Sequence, residues 1–175
     1  MPANDLSPIG VPSIGRRLIA MVYELLLAFA VLFLPFLIFE LAVNASHAAV
    51  VEHGRQALAF LVLGAYFIHQ WSRNGQTLAM QTWRIRVTLP DGGAVPLRLA
   101  VVRYLLAWMW VLPALVASWA FGLAHWAALG ALGAGIAVWS LTALFDKDGQ
   151  FLHDRLAGTR LVQLPKRTKK TAATA

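Results

Sequence analysis

The sequence predicts an all-α polytopic membrane protein, with four transmembrane helices and a small cytoplasmic β-hairpin or sheet element. Three observations predict it. Hydrophobic residues make up 59% of the 175-residue chain, mean hydropathy is +0.63, and only 13% of residues are charged, where a soluble domain carries about 25%. The apolar residues fall in runs long enough to cross a bilayer. The basic residues lie at the ends of those runs, as topology signals do. The same placement argues against nucleic acid as the partner of the +7 net charge, and the lipid bilayer takes that place. The chain has no cysteine, which excludes disulfides, thiol catalysis and thiolate metal sites.

The first 14 residues, MPANDLSPIGVPSI, are neither basic nor apolar enough for a cleavable signal peptide. They are expected to form a cytoplasmic tail, with the first helix acting as an uncleaved signal. About 20 apolar residues cross a bilayer, so spans are predicted at residues 17–40 and 56–72. The run 99–145 is too long for one helix and is split near SWAFGLAHW, giving spans 99–119 and 123–145. With both termini in the cytoplasm, Arg55 alone of the 15 basic residues falls outside, as the positive-inside rule requires. A three-span chain would place either the N-terminal arginines or the basic C-terminal tail on the wrong side.

Between the second and third spans, WRIRVTL alternates in the manner of a strand, PDGG is a turn, and AVPLR can return up to Pro96. A hairpin over residues 83–97 is therefore expected, with residues 159–164 (TRLVQL) as a further strand joining it. Residues 15–164 form the membrane domain, and 165–175 a basic disordered tail. Pro35 and Pro113 are expected to kink the first and third helices. Residues 128–140 are rich in small side chains, including an Ala131/Gly135 pair, which suits close helix packing within the bundle or between copies in a homo-oligomer.

Four stretches, RRLIAMVYE, GQTLAMQTWRIRV, LRLAVVRYLLAW and DGQFLHDRLAGTRLV, together resemble the RDD family of bacterial inner-membrane proteins. The family is named for one arginine and two aspartates. Arg17 matches the arginine and Asp154 the second aspartate, while Glu24 stands where the family carries its first aspartate. The resemblance implies a bacterial inner-membrane location and a link to transport, with cation/proton exchange in some members.

Arg17 and Glu24 are seven residues apart, about 20° short of two turns, so they share a helix face about 10.5 Å apart along the axis. Glu24 therefore lies inside the hydrocarbon, where an unpaired charge costs about 2.5–3.5 kcal/mol on insertion scales. Arg103 enters the third span at a similar depth and is the expected partner of Glu24. Asp154 is expected to cap a helix or to pair with Arg17. These groups read either as a site for a proton or monovalent cation or as a structural ion-pair cluster. Gln76 and Thr77 sit at a helix exit, where they line a vestibule or cap exposed backbone. The five histidines lack the spacing of a metal site. His153, beside Asp154, is a candidate proton shuttle. There is no phosphate loop, nucleophile elbow or metal motif, so neither enzymatic activity nor a cofactor is expected. A non-transporting scaffold, docking a cytoplasmic partner through the basic face, is the alternative to transport.

Overall fold

The computed structural model describes residues 10–44 and 46–165. Most of the predicted N-terminal tail (residues 1–9) and the basic C-terminal tail from residue 166 onward lie outside the described residues. Helix α1, Ile14–Val43, opens at Ser13, whose hydroxyl accepts the Arg16 N–H (3.4 Å), and closes at Asn44 with φ 50°. It runs through Pro35 without interruption. Helix α2, Ala49–Asn74, packs back along α1. Their far ends are joined by Arg55, whose Nε and Nη2 reach the two carboxylate oxygens of Glu40 at 2.6 and 2.8 Å. Nη1 of the same side chain bonds Glu52 at 2.6 Å.

Gly75 (φ 67°) ends α2, where a side chain would meet Val87 O at 2.7 Å. The short helix α3, Leu78–Trp83, starts at Thr77 and packs on α1. Strand β1, Ile85–Thr88, follows. Helix α4, Leu97–Ala107, passes through a 3-10 turn at Trp108–Trp110 into α5, Leu112–Ala120. The break precedes Pro113, which has no N–H to continue the helix. Helix α6, His125–Phe145, packs against α5. Helix α7, Leu152–Leu156, and strand β2, Arg160–Gln163, complete the chain.

The fold is mostly helical, with a two-stranded antiparallel sheet. Three stretches are long and apolar enough to cross a membrane: Ile14–Val43, Leu97–Ala120 and His125–Phe145. Helix α2 is long enough too, but it carries Glu52, Arg55, His69 and Arg73 and is not one of the three.

The expected hairpin does not form. β1 pairs with β2 instead, from Ile85 opposite Gln163 to Thr88 opposite Arg160. The return segment cannot serve as a second strand, because Pro96 lacks a donor and Val95 is buried in the core instead. The loop after β1 closes on itself through Leu89 N–H to Gly93 O (2.9 Å). Both outer edges of the sheet are occupied. On β1, Val87 N–H bonds Gly75 O (2.7 Å) and Ile85 O accepts the Gln76 amide (2.7 Å). On β2, the Gln150 amide accepts Leu161 N–H (2.8 Å) and donates to Leu161 O (3.2 Å), standing in for a third strand.

The hydrophobic core sits at the sheet end of the bundle. Ile85, Val87, Val95, Phe151 and Leu161 meet Ala20, Trp71, Ala100 and Tyr104 there. Elsewhere α1 and α6 turn large apolar side chains outward, such as Phe29, Phe33 and Phe145. That distribution suits a chain whose surroundings are hydrocarbon. Close approach of α2 and α4 depends on Gly64, where a Cβ would lie 3.0 Å from the Tyr104 ring. Tyr104 O–H then reaches Phe60 O at 2.7 Å.

Candidate functional site

Two acids inside the helical layer have different company. Glu24, on α1, is partly buried. Its Oε1 accepts the Tyr66 O–H from α2 (2.9 Å), and its Oε2 accepts the Thr77 O–H at the start of α3. Thr77 is fully buried, and its oxygen also accepts Met80 N–H (3.2 Å), capping α3. Among the described residues no cationic side chain pairs with Glu24. Arg103, its expected partner, is engaged elsewhere.

Asp154, on α7, is fully buried, and the Arg103 guanidinium from α4 forms an ion pair with its Oδ1. Arg103 lies 4.6 Å over the Trp71 ring and reaches Thr159 Oγ1 at 3.4 Å. The Thr159 hydroxyl in turn donates to Asp154 O (3.2 Å). His153 Nδ1 accepts the Trp139 N–H (3.1 Å), so the ring proton sits on Nε2, 3.4 Å from Asp154 Oδ1. Burial, then the fields of Arg103 and Arg17, push the His153 pKa well below its usual value, so the ring is neutral.

Arg17 does not pair with Asp154. Its Nε donates to Pro12 O (2.8 Å), its Nη2 donates to Gly149 O (2.7 Å), and the guanidinium lies 4.8 Å over the Phe151 ring. It ties the start of α1 to the loop before α7. Asp146 opens that loop, and its Oδ2 accepts the N–H of Gln150 (2.8 Å) and of Asp148 (3.1 Å). Those backbone N–H groups, Gln150 first, with Arg155 beside it, hold its pKa below the usual carboxylate range. Buried Arg17 Nη1 and Asp154 Oδ2 have no hydrogen-bond partner among the described residues.

Of the residues singled out in the sequence, Arg103 and Asp154 are brought together, as are Glu24 and Thr77. Gln76 braces β1, and Arg17 stands apart on backbone carbonyls. The reason lies in the packing: α3 lies along α1 and delivers Thr77 to Glu24, while α7 lies against α4 and delivers Asp154 to Arg103. The reading of residues missed Tyr66, Trp139 and Thr159. Only Tyr66 left a trace, as a phenol in the middle of the α2 apolar run. It also missed the Glu40–Arg55 clamp. Among the described residues no His, Cys, Asp and Glu side chains group in a way that could hold a metal ion.

The architecture and the internal polar groups define a membrane-type helical protein capped by a small sheet. The chain belongs to the RDD family, whose profile matches residues 11–158 and so covers Arg17, Glu24, Arg103 and Asp154. No curated protein and no solved structure matches it.

Proposed function

We propose that this RDD-family protein crosses the bacterial inner membrane four times, with both termini cytoplasmic and α2 as the fourth span. Its work is ion transport, with Glu24 as the group that takes up and releases a proton or a monovalent cation. One observation carries this reading: the Glu24 carboxyl is held by two hydroxyls and, among the described residues, by no cationic side chain. A hydroxyl donates to a carboxylate or turns a lone pair toward a cation, so Tyr66 and Thr77 serve both states of the site. An acid paired with a guanidinium lacks that freedom, and Asp154 is so paired. Glu24 is therefore the exchanging group, and Arg103–Asp154 the fixed frame beside it. A second copy would help a chain this short to enclose a path.

The test is cation-dependent proton flux in liposomes holding purified protein, wild type beside Glu24→Gln. The reading expects flux in the wild type and its loss in a variant that inserts normally. Absence of flux from the wild type under sodium, potassium and lithium gradients would overturn it in favour of a scaffold. The occupied sheet edges and the buried Arg103–Asp154 pair would then read as the rigid support of a docking face.

A further inference from the structure

We propose that the sheet end of the bundle is a docking surface for anionic phospholipid headgroups, formed by Arg16, Arg73 and Arg98. The inference rests on the membrane reading above but needs no transport activity. The three arginines sit in the first turn of α1, the last turn of α2 and the first turn of α4. α1 and α2 pack as an antiparallel pair, and α4 runs antiparallel to α2, with Arg103 over Trp71 and Trp108 against Phe60, so these three termini share one end of the molecule. All three side chains are exposed.

Among the described residues, the acids of that end are already engaged. Asp154 is paired with Arg103, Asp146 with Arg155 and Asp148 with Arg160. Asp91 bonds Gly93 N–H inside its own turn (2.8 Å). Among the described residues no carboxylate is left within ion-pair reach of Arg16, Arg73 or Arg98, so their charge is directed outward.

The apolar surface around them says what they face. Leu97 is 61% exposed beside Arg98, and Leu78 is 51% exposed just beyond the end of α2. On α7, Leu152 and Leu156 point outward one turn apart, while His153 and Asp154 point inward. Exposed leucines interleaved with unpaired guanidinium groups, at the mouths of apolar helices, match the boundary where acyl chain gives way to headgroup. A guanidinium offers a phosphate diester two parallel N–H donors. Near an anionic leaflet each arginine is worth about a fivefold preference, which fades within a Debye length.

The probe is spin-labelled phosphatidylglycerol against spin-labelled phosphatidylcholine, with the full chain reconstituted in phosphatidylcholine vesicles. The wild type is expected to enrich phosphatidylglycerol in its first lipid shell, with the enrichment collapsing in high salt. Each single Arg→Gln change should remove a share of it. The triple Arg16→Gln/Arg73→Gln/Arg98→Gln should remove more than half, and the triple Arg→Lys should keep most of it. Equal partition of the two lipids in the wild type would overturn the proposal, without need of any variant. So would a triple Gln variant that keeps the full enrichment, which would assign the effect to other cations of the chain. Binding of an acidic peptide to the detergent-solubilised protein, with no phosphatidylglycerol preference in vesicles, would give the surface to a protein partner and overturn it as well. Glu24→Gln should enrich phosphatidylglycerol as the wild type does, so a chain without flux can still pass this test.

Discussion

Glu24 and Asp154 are both acids drawn inside the fold, and they are satisfied by opposite means. Asp154 has a guanidinium against it, an imidazole beside it and complete burial. Glu24 has a phenol and a threonine hydroxyl. A buried ion pair ties two elements together, because losing either partner strands the other's charge. A carboxyl held by neutral hydroxyls keeps hydrogen-bond partners in either charge state, so its proton or cation can change without dismantling the packing. The first arrangement suits a frame and the second suits an exchange site.

Breaking the frame should have the largest effect. Arg103→Ala or Asp154→Ala leaves a charge buried without its partner, and should destabilise the protein by about 3–5 kcal/mol in detergent unfolding. Arg103→Met/Asp154→Leu should recover much of that loss, since a matched apolar pair leaves no charge stranded. A double variant as unstable as either single would show that the pair is not the source of the effect. The edge brace comes next. Gln150→Ala removes the amide that serves both Leu161 N–H and Leu161 O, and should cost about 1–3 kcal/mol. Its loss should appear as faster hydrogen exchange at Leu161, with α6 unaffected.

His153 sharpens the comparison through pH. Its folded pKa is depressed, so the unfolded chain takes up a proton that the folded chain refuses. The stability owed to the neutral ring is complete above about pH 6.5 and is lost as pH falls below it, by at most about 1.4 kcal/mol per pH unit for one proton. His153→Gln, whose amide can still accept from Trp139, should show a shallower acid slope between about pH 6.5 and 5. An unchanged slope would mean that His153 is not the group that titrates. The smallest effect on stability belongs to Glu24→Gln, about 1 kcal/mol or less, because the amide oxygen can still accept a hydroxyl. Loss of function without loss of fold is the signature that separates this acid from Asp154.

Much of the fold was legible in the sequence. Apolar length gave α1, α6 and the α4–α5 stretch, and Pro113 marked the neighbourhood of the break. Alternation in WRIRVTL and TRLVQL located both strands. The joining of residues 159–164 to the first strand is expected and forms, but the local return is expected as well, because a period of two sets which faces are apolar and not which segment lies alongside. Pro96, expected only to end the return strand, helps to exclude it. The site was half legible for a similar reason. Helical spacing and depth placed Glu24 and Arg103 at comparable levels, and a missing partner for each suggested the other. Depth says nothing about which helix lies between them. The short α3, invisible as a separate element in GQTLAMQTW, supplies Thr77 to Glu24, while α7 brings Asp154 to Arg103.

The central claim, that Glu24 exchanges while Asp154 stays fixed, is tested most directly by infrared difference spectroscopy. The carboxyl C=O band of reconstituted protein would be followed through a pH titration, with and without sodium. The account predicts a titrating band that responds to the cation, vanishes in Glu24→Gln and persists in Arg103→Met/Asp154→Leu. A titrating band that survives Glu24→Gln and disappears with Asp154 would contradict it, and would make the paired acid the one that moves its proton.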